Sequence, residues 1–283
     1  MALSMSALAT NDAVMRWVGD IVPVGQMIVV RGLFLMAALY VSARYVLHQE
    51  ISIHQMCHKW CLMRGLAELG ATYLFLTSLF MIPIATATTL VFLSPILLTA
   101  MSRFVFGEQV GPWRWAAVFV GFIGVLLVTT PSSDDWNPVF LLPLGAALLV
   151  ALRDASTRMV APHISSGSVT MTTAVVVFLG GLASYPFGWN DISVLSTGWL
   201  ALAALIIAVS FFSIVTAFRI GEMSLIAPIQ YIVILWATAY GWLIWDEVPE
   251  PRAALGGGLI IGSGLLILYR ERVARNRALK ATT

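Results

Sequence analysis

The chain has 283 residues, 59% of them hydrophobic and 11% charged, with a formal net charge of +2 and a mean hydropathy of +0.90. Soluble domains carry roughly a quarter charged residues, so this balance excludes a soluble fold, and in a membrane the placement of charge says more than its sum. The apolar segments run for about 18–22 residues, the length a helix needs to cross ~30 Å of hydrocarbon, whereas barrel strands would be shorter and would alternate.

Taken in chain order, hydropathy predicts ten helical spans, at 2–18, 24–45, 60–81, 85–104, 113–130, 139–160, 168–187, 198–218, 224–245 and 253–269. The start carries no basic region followed by a small-residue cleavage site, so the first segment is expected to be a membrane helix, abbreviated at its beginning. Between the second and third spans lies "HQMCHKWC", where His54, Cys57, His58 and Cys61 mimic zinc-ligand spacing. On a straight helix His54 and Cys61 stand ~10 Å apart along the axis, too far to share one ion, so an interfacial helix with free thiols is expected and no metal. With the N-terminus cytoplasmic, Arg44, Lys59, Arg64, Arg103, Arg114, Arg153, Arg158, Arg219 and the tail "RERVARNRALK" fall on the inner side. The acidic stretches "PSSDDWNP", "WND" and "DEVPEP" then fall on the outer side. Both termini are therefore expected in the cytoplasm and the chain in the inner membrane, with most tryptophans at span ends as interfacial anchors.

A charged motif occurs twice. "ATNDAVMR", Ala9 to Arg16, is matched by "ALRDASTR", Ala151 to Arg158, 142 residues on; "GEQVGP" is matched by "DEVPEP", which sets Glu108 against Glu247 and Pro112 against Pro251, 139 residues on. Each half holds five spans, an odd number, so the second half enters the membrane upside down relative to the first. Inverted repeats of this kind build secondary transporters, because two such halves can exchange conformations and open one central site to either side. The expected organisation is a first repeat at 1–130, a connecting loop at 131–138, a second repeat at 139–270 and a basic tail at 271–283.

The stretch "SPILLTAMSRFVFGEQVGPWRWAAVFVGFIGVLLV" resembles the fourth and fifth helices of the first repeat in the EamA-type, ten-helix branch of the drug/metabolite transporter superfamily. "RIGEMSLIAPIQYIVILWATAYGWLIWDEVPEPRAALGGGLIIGSGLLILYRE" resembles the end of its second repeat. The resemblance implies an all-α, 5+5 membrane fold and the export or exchange of small metabolites, with amino acids a frequent class.

Asp12 and Arg16 are four residues apart with the acid first, the favourable order for an intrahelical ion pair, and so are Asp154 and Arg158. By depth, two ion-pair latches are expected: an outer one of Asp12, Arg16 and Arg31, and an inner one of Arg64, Glu68, Arg153, Asp154 and Arg158. Charge at such depth is costly unless paired, which makes it suspect for function. Between the latches an uncharged binding layer is expected from Tyr73, Thr77, Phe92, Ser94, Pro95, Phe212, Ser213, Gln230, Tyr231 and Trp236. In that layer Pro95 breaks its helix in mid-span and frees a carbonyl. Gly258 and Gly262 form a GxxxG pair, and Gly121 with Gly124 a looser seam.

No nucleophile elbow, HExxH or Walker motif occurs, so an enzyme or a chain-encoded ATPase is not expected, and neither is a cofactor. The expected partners are a small-molecule solute and the lipid bilayer, not nucleic acid, with Asp12 and Glu68 as the candidate carriers if transport is coupled to protons. A solute channel and a lipid scramblase are the rival readings. The sequence leaves the oligomeric state open.

Overall fold

The computed structural model describes residues 2–46, 48–107, 111–129, 137–220 and 231–281, and among them every regular element is helical. The helices are α1 (Ala2–Gly19), α2 (Val24–Val41), the short α3 (Ile53–Met56), α4 (Lys59–Leu79), α5 (Ile84–Val91), α6 (Ser94–Val105), α7 (Pro112–Thr129), α8 (Leu141–Arg158), α9 (Ser166–Leu182), α10 (Val194–Ile220), α11 (Ile232–Trp245) and α12 (Pro251–Ala281). Proline opens several of them, at the N-caps of α2 and α5 (Pro23, Pro83) and as the first residue of α7 and α12 (Pro112, Pro251). Its missing N–H costs nothing where the first turn has no intrahelical acceptor.

Five segments are long and apolar enough to cross a membrane by length and composition: Val24–Val46, Ile84–Val105, Pro138–Arg158, Ser166–Phe187 and Pro251–Arg270. Shorter apolar helices occur at Trp115–Thr129, Val194–Ser210 and Ile232–Trp245. The span expected at 85–104 is two helices, α5 and α6, broken at Phe92 and Leu93 just ahead of Pro95. The stretch around "HQMCHKWC" also breaks: α3 ends at Met56 and α4 begins at Lys59, so the straight helix assumed from sequence is replaced by two. Cys57 is exposed and Cys61 buried, both as free thiols. At the other end of the chain, α12 continues without interruption to Ala281, through the stretch expected to be a separate tail.

Helix pairing follows the sequence repeat. The 142-residue spacing carries α1 onto α8, α2 onto α9 and α4 onto α10, and the 139-residue spacing carries α7 onto α12. α4 packs on α8 as α10 packs on α1, α4 on α9 as α10 on α2, while α2 and α7 pack on their own counterparts α9 and α12. Two of these counterpart pairs run antiparallel: Gly25 meets Ser184 and Gly32 meets Phe178 between α2 and α9, and Gly121 meets Ser263 where Gly124 meets Gly256 between α7 and α12.

The α7–α12 seam is a backbone contact. A Cβ on Gly124 would lie 2.7 Å from the Gly256 carbonyl oxygen, and one on Gly256 would lie 2.5 Å from that of Gly124. The GxxxG pair singled out from sequence is not the seam, since Cβ atoms on Gly258 and Gly262 would meet nothing within 4 Å. One face of α12 carries the contact and the GxxxG pair lies on another.

An apolar cluster of Met15, Val18, Met27, Leu79, Ile84 and Leu200 fills one end of the bundle, where α1 and α11 finish and α2 and α5 begin. A second cluster, with Leu93, Ile96, Val118, Val125 and Ile260, holds α6 and α7 to α12.

Candidate functional site

Toward the other end of the bundle, where α4 and α9 begin and α2 and α8 finish, the helices part around a cavity of about 500 Å³. Its wall comes from both halves: α1, α2, α4 and the α5–α6 break on one side, α8, α9 and α10 on the other. The α5–α6 break contributes Phe92, Ser94 and Pro95 directly to the lining. Leu93 O accepts from the backbone N–H of both Ile96 and Leu97, which restarts the helix after the interruption. Irregular backbone at membrane depth is tolerated where it faces protein or a cavity, and here it does.

The cavity is not uncharged, contrary to the expectation from sequence. Arg31, Arg64, Glu68, Arg153 and Asp154 all line it. Arg153 joins both acids, with Nη1 donating to Glu68 Oε2 at 2.9 Å and Nε to Asp154 Oδ1 at 2.8 Å. Asp154 is thus paired with its neighbour Arg153 rather than with Arg158. Arg64 donates through Nε to Thr157 Oγ1 at 2.9 Å and through Nη1 to Thr173 Oγ1. The expected inner latch is therefore partly a cavity wall, and Arg31, assigned by depth to the outer latch, stands in that wall as well.

The expected outer latch is also rearranged. Asp12 and Arg16 form no ion pair. Asp12, 8% exposed, accepts from the side-chain amide of Asn11 at 3.0 Å, and Asn11 Oδ1 accepts from Arg31 Nη1 at 3.3 Å. Arg16 instead reaches Glu247, after the end of α11, through two hydrogen bonds of 2.9 and 2.5 Å, and its guanidinium lies 4.5 Å from the Trp245 ring centroid. Glu247 Oε2 also accepts from the backbone N–H of Ile84, the first residue of α5. A bidentate arginine–carboxylate fork is stronger than the ~0.2–0.5 kcal/mol of an exposed intrahelical pair, which favours Glu247 over Asp12 as the partner of Arg16. This three-way contact ties α1 and α5 of the first half to the α11–α12 turn of the second, over the apolar plug.

Part of the arrangement recurs at the opposite end, 139 to 142 residues away. Arg158 lies over the Phe106 ring at 5.7 Å as Arg16 lies over Trp245. Gly107 after Phe106 and Asp246 after Trp245 both turn with positive φ, 66° and 56°, a backbone that glycine adopts freely and aspartate tolerates. Glu108, set against Glu247 by the sequence repeat, lies outside the described residues.

Other residues of the expected binding layer stand elsewhere. The Tyr73 hydroxyl donates to Gly180 O at 3.2 Å and its ring packs on the apolar plug; neither it nor Thr77 lines the cavity. Thr72 lines it instead. Tyr231 backs Phe92, ring centroids 5.5 Å apart, and Trp236 is 40% exposed and stacked on Tyr240. Gln230 and the side chains of Phe212 and Ser213 lie outside what is described.

A multi-pass helical bundle with a solute-sized cavity walled by both halves is an architecture suited to a membrane transporter. The chain belongs to the EamA-like transporter family, which matches it twice, at residues 1–130 and 138–269. Among curated proteins it is similar to a riboflavin transporter of Vibrio cholerae, 28% identical over 75% of this chain and 72% of the other. It is also similar to an S-adenosylmethionine uptake transporter of Rickettsia conorii, 26% identical over 76% and 74%, and to the pseudopaline exporter CntI of Pseudomonas aeruginosa, 28% identical over 71% of each. A solved crystal structure shares the fold with a TM-score of 0.59 over 95% of this chain and 98% of its own, at 19% identity. The family and these named relatives are transporters rather than enzymes.

Proposed function

We propose that this protein is a secondary transporter that carries a small amphipathic metabolite, with amino acids the first class to try, across the inner membrane by alternating access. The observation that carries the reading is the cavity: it is built from both halves and lies toward one end of the bundle, while the apolar cluster and the Arg16–Glu247 contact occupy the other end. Two inverted five-helix halves, ten crossings in all, are supported by the double family match, the exchanged helix pairing and the antiparallel counterpart pairs. With both termini cytoplasmic, the cavity faces the cytoplasm and Arg16–Glu247 is the outer gate. The Arg158 end, with its matching aromatic and left-handed turn, is the inner gate, and the two ends make and break in turn as the halves rock. Net export or facilitated exchange then depends only on the gradients present.

The test is counterflow in proteoliposomes with a panel of amino acids and related metabolites, with and without a pH gradient. Saturable uptake with trans-stimulation is expected, and it should be strongly reduced by Thr72→Trp, which places a bulky ring in the cavity wall. Flux linear in concentration would indicate a pore, lipid movement without solute exchange a scramblase, and a fully active Thr72→Trp would remove the cavity from the mechanism. A pH gradient that drives uptake would bring in Asp12 and Glu68 as proton carriers.

A further inference from the structure

The cationic side of the cavity is unevenly spent. Both of its acids, Glu68 and Asp154, are held by the single guanidinium of Arg153. Among the described residues no carboxylate oxygen lies within 4.0 Å of Arg31 or Arg64. Arg64 is steadied by two neutral hydroxyls, Thr157 and Thr173, that hold its fork in place without neutralising it. Arg31 is 9% exposed, gives one long hydrogen bond to Asn11, and its buried Nε has no partner. The nearest acid on that side, Asp12, reaches Arg31 only through the Asn11 amide and does not line the cavity.

A guanidinium presents five donors and cannot shed its proton, so a buried one facing an open cavity with donors unspent is costly unless an anion completes it. The planar fork matches the oxygens of a carboxylate or a phosphate. We infer that the cavity recognises its solute through an anionic oxygen group seated on Arg31 and Arg64, with an apolar body against Leu8, Leu35, Phe92 and Val177. The three guanidiniums of the wall, Arg31, Arg64 and Arg153, outnumber its two carboxylates, so the net charge of the cavity favours an anion over an ammonium group. For amino-acid-like solutes the carboxylate is therefore the group that governs binding. The inference rests on the reading of this cavity as the solute site and narrows the chemistry it takes.

The test uses the full chain purified in detergent, with binding read from the shift in thermal unfolding and from titration. Four probes share one ring and differ in the charged end: phenylacetate, phenyl phosphate, phenylacetamide and phenethylamine. Phenylacetate or phenyl phosphate should bind, and their ratio identifies which oxygen group is preferred. The amide and the amine should bind about 10- to 100-fold more weakly, the range expected when a charge-assisted hydrogen bond is lost. Arg31→Gln and Arg64→Gln should each erase that preference, and Arg31→Lys and Arg64→Lys should keep part of it, with unliganded unfolding temperature as the check on folding. An amide that binds as well as the acid, an amine that binds better, or glutamine variants that retain the preference would overturn the inference. If neutral or cationic solutes exchange in proteoliposomes and Thr72→Trp stops them without any anion preference, the inference falls while the transporter reading stands. If no solute of any charge exchanges or binds, the reading of the cavity falls and the inference with it.

Discussion

Glu247→Gln removes one charge from the plug end of the bundle and almost no volume. In the present conformation Glu247 accepts three hydrogen bonds, two from Arg16 and one from the Ile84 backbone, and the two side chains of the pair are only 13% and 19% exposed. Breaking a well-buried pair costs ~3–5 kcal/mol, but here some solvent reaches both partners and glutamine keeps one acceptor, so about 2 kcal/mol is the fair figure. On the proposed gating mechanism that penalty falls on the conformation closed at this end alone, so the equilibrium should move by about 30-fold toward the state open at this end. Arg16→Gln should do the same, and the double variant should add little, because the two residues share one interaction. The assay is a distance measurement by paired spin labels at Asp20→Cys and Val248→Cys, both exposed and on opposite halves, in a Cys57→Ser/Cys61→Ala background. A longer-distance population should grow in each single variant. Unchanged distance distributions in both, or fully additive effects in the double variant, would refute the role of the contact as a gate.

The α7–α12 glycine seam and the GxxxG pair on α12 give a contrasting pair of predictions. Gly124→Ala should lower stability by ~1–3 kcal/mol, because its Cβ meets a backbone oxygen that cannot rotate away, whereas Gly258→Ala meets nothing and should be neutral or stabilising by up to ~1 kcal/mol through helix propensity; unfolding midpoints in detergent decide it. Arg153→Gln leaves Glu68 and Asp154 both without their cation and should destabilise by about 2 kcal/mol, discounted for the partial exposure of all three, and adding Glu68→Gln to it should restore part of the loss in the same assay.

The membrane class was legible because a bilayer demands long apolar helices, five of which are long and apolar enough among the described residues, and Pro95 pointed to a broken helix within two residues of where it breaks. The charge pairing was less legible. Counting residues from a helix end gives depth but not direction around the axis, and the choice between an intrahelical and an interhelical partner depends on which helix lies alongside. Arg16 and Asp12 satisfy the i, i+4 rule, yet Glu247 is closer to a perfect partner and comes from 231 positions away. The signal for it was present, since an acid stood at both 108 and 247 in the repeat. On α4 the error was one of rotation. Arg64, Glu68 and Thr72 follow each other at intervals of four and share the cavity face, while Tyr73 sits about 100° and Thr77 about 140° round from Thr72, off that face, and Tyr73 bonds to Gly180 instead. Extending the charged stripe by one more turn would have found Thr72.

In the proposed mechanism one cavity shared by the two halves is reached from each side of the membrane in turn. Thr72→Cys, in the same cysteine-replaced background, places a reporter in the cavity wall, and its reaction with a membrane-impermeant thiol reagent can be followed from each side of sealed vesicles. Labelling is expected from the cytoplasmic side at rest and from the outer side once Glu247→Gln is added, with a transported solute protecting in both cases. Labelling from one side under every condition, or from both sides at once, would rule out alternating access through this cavity.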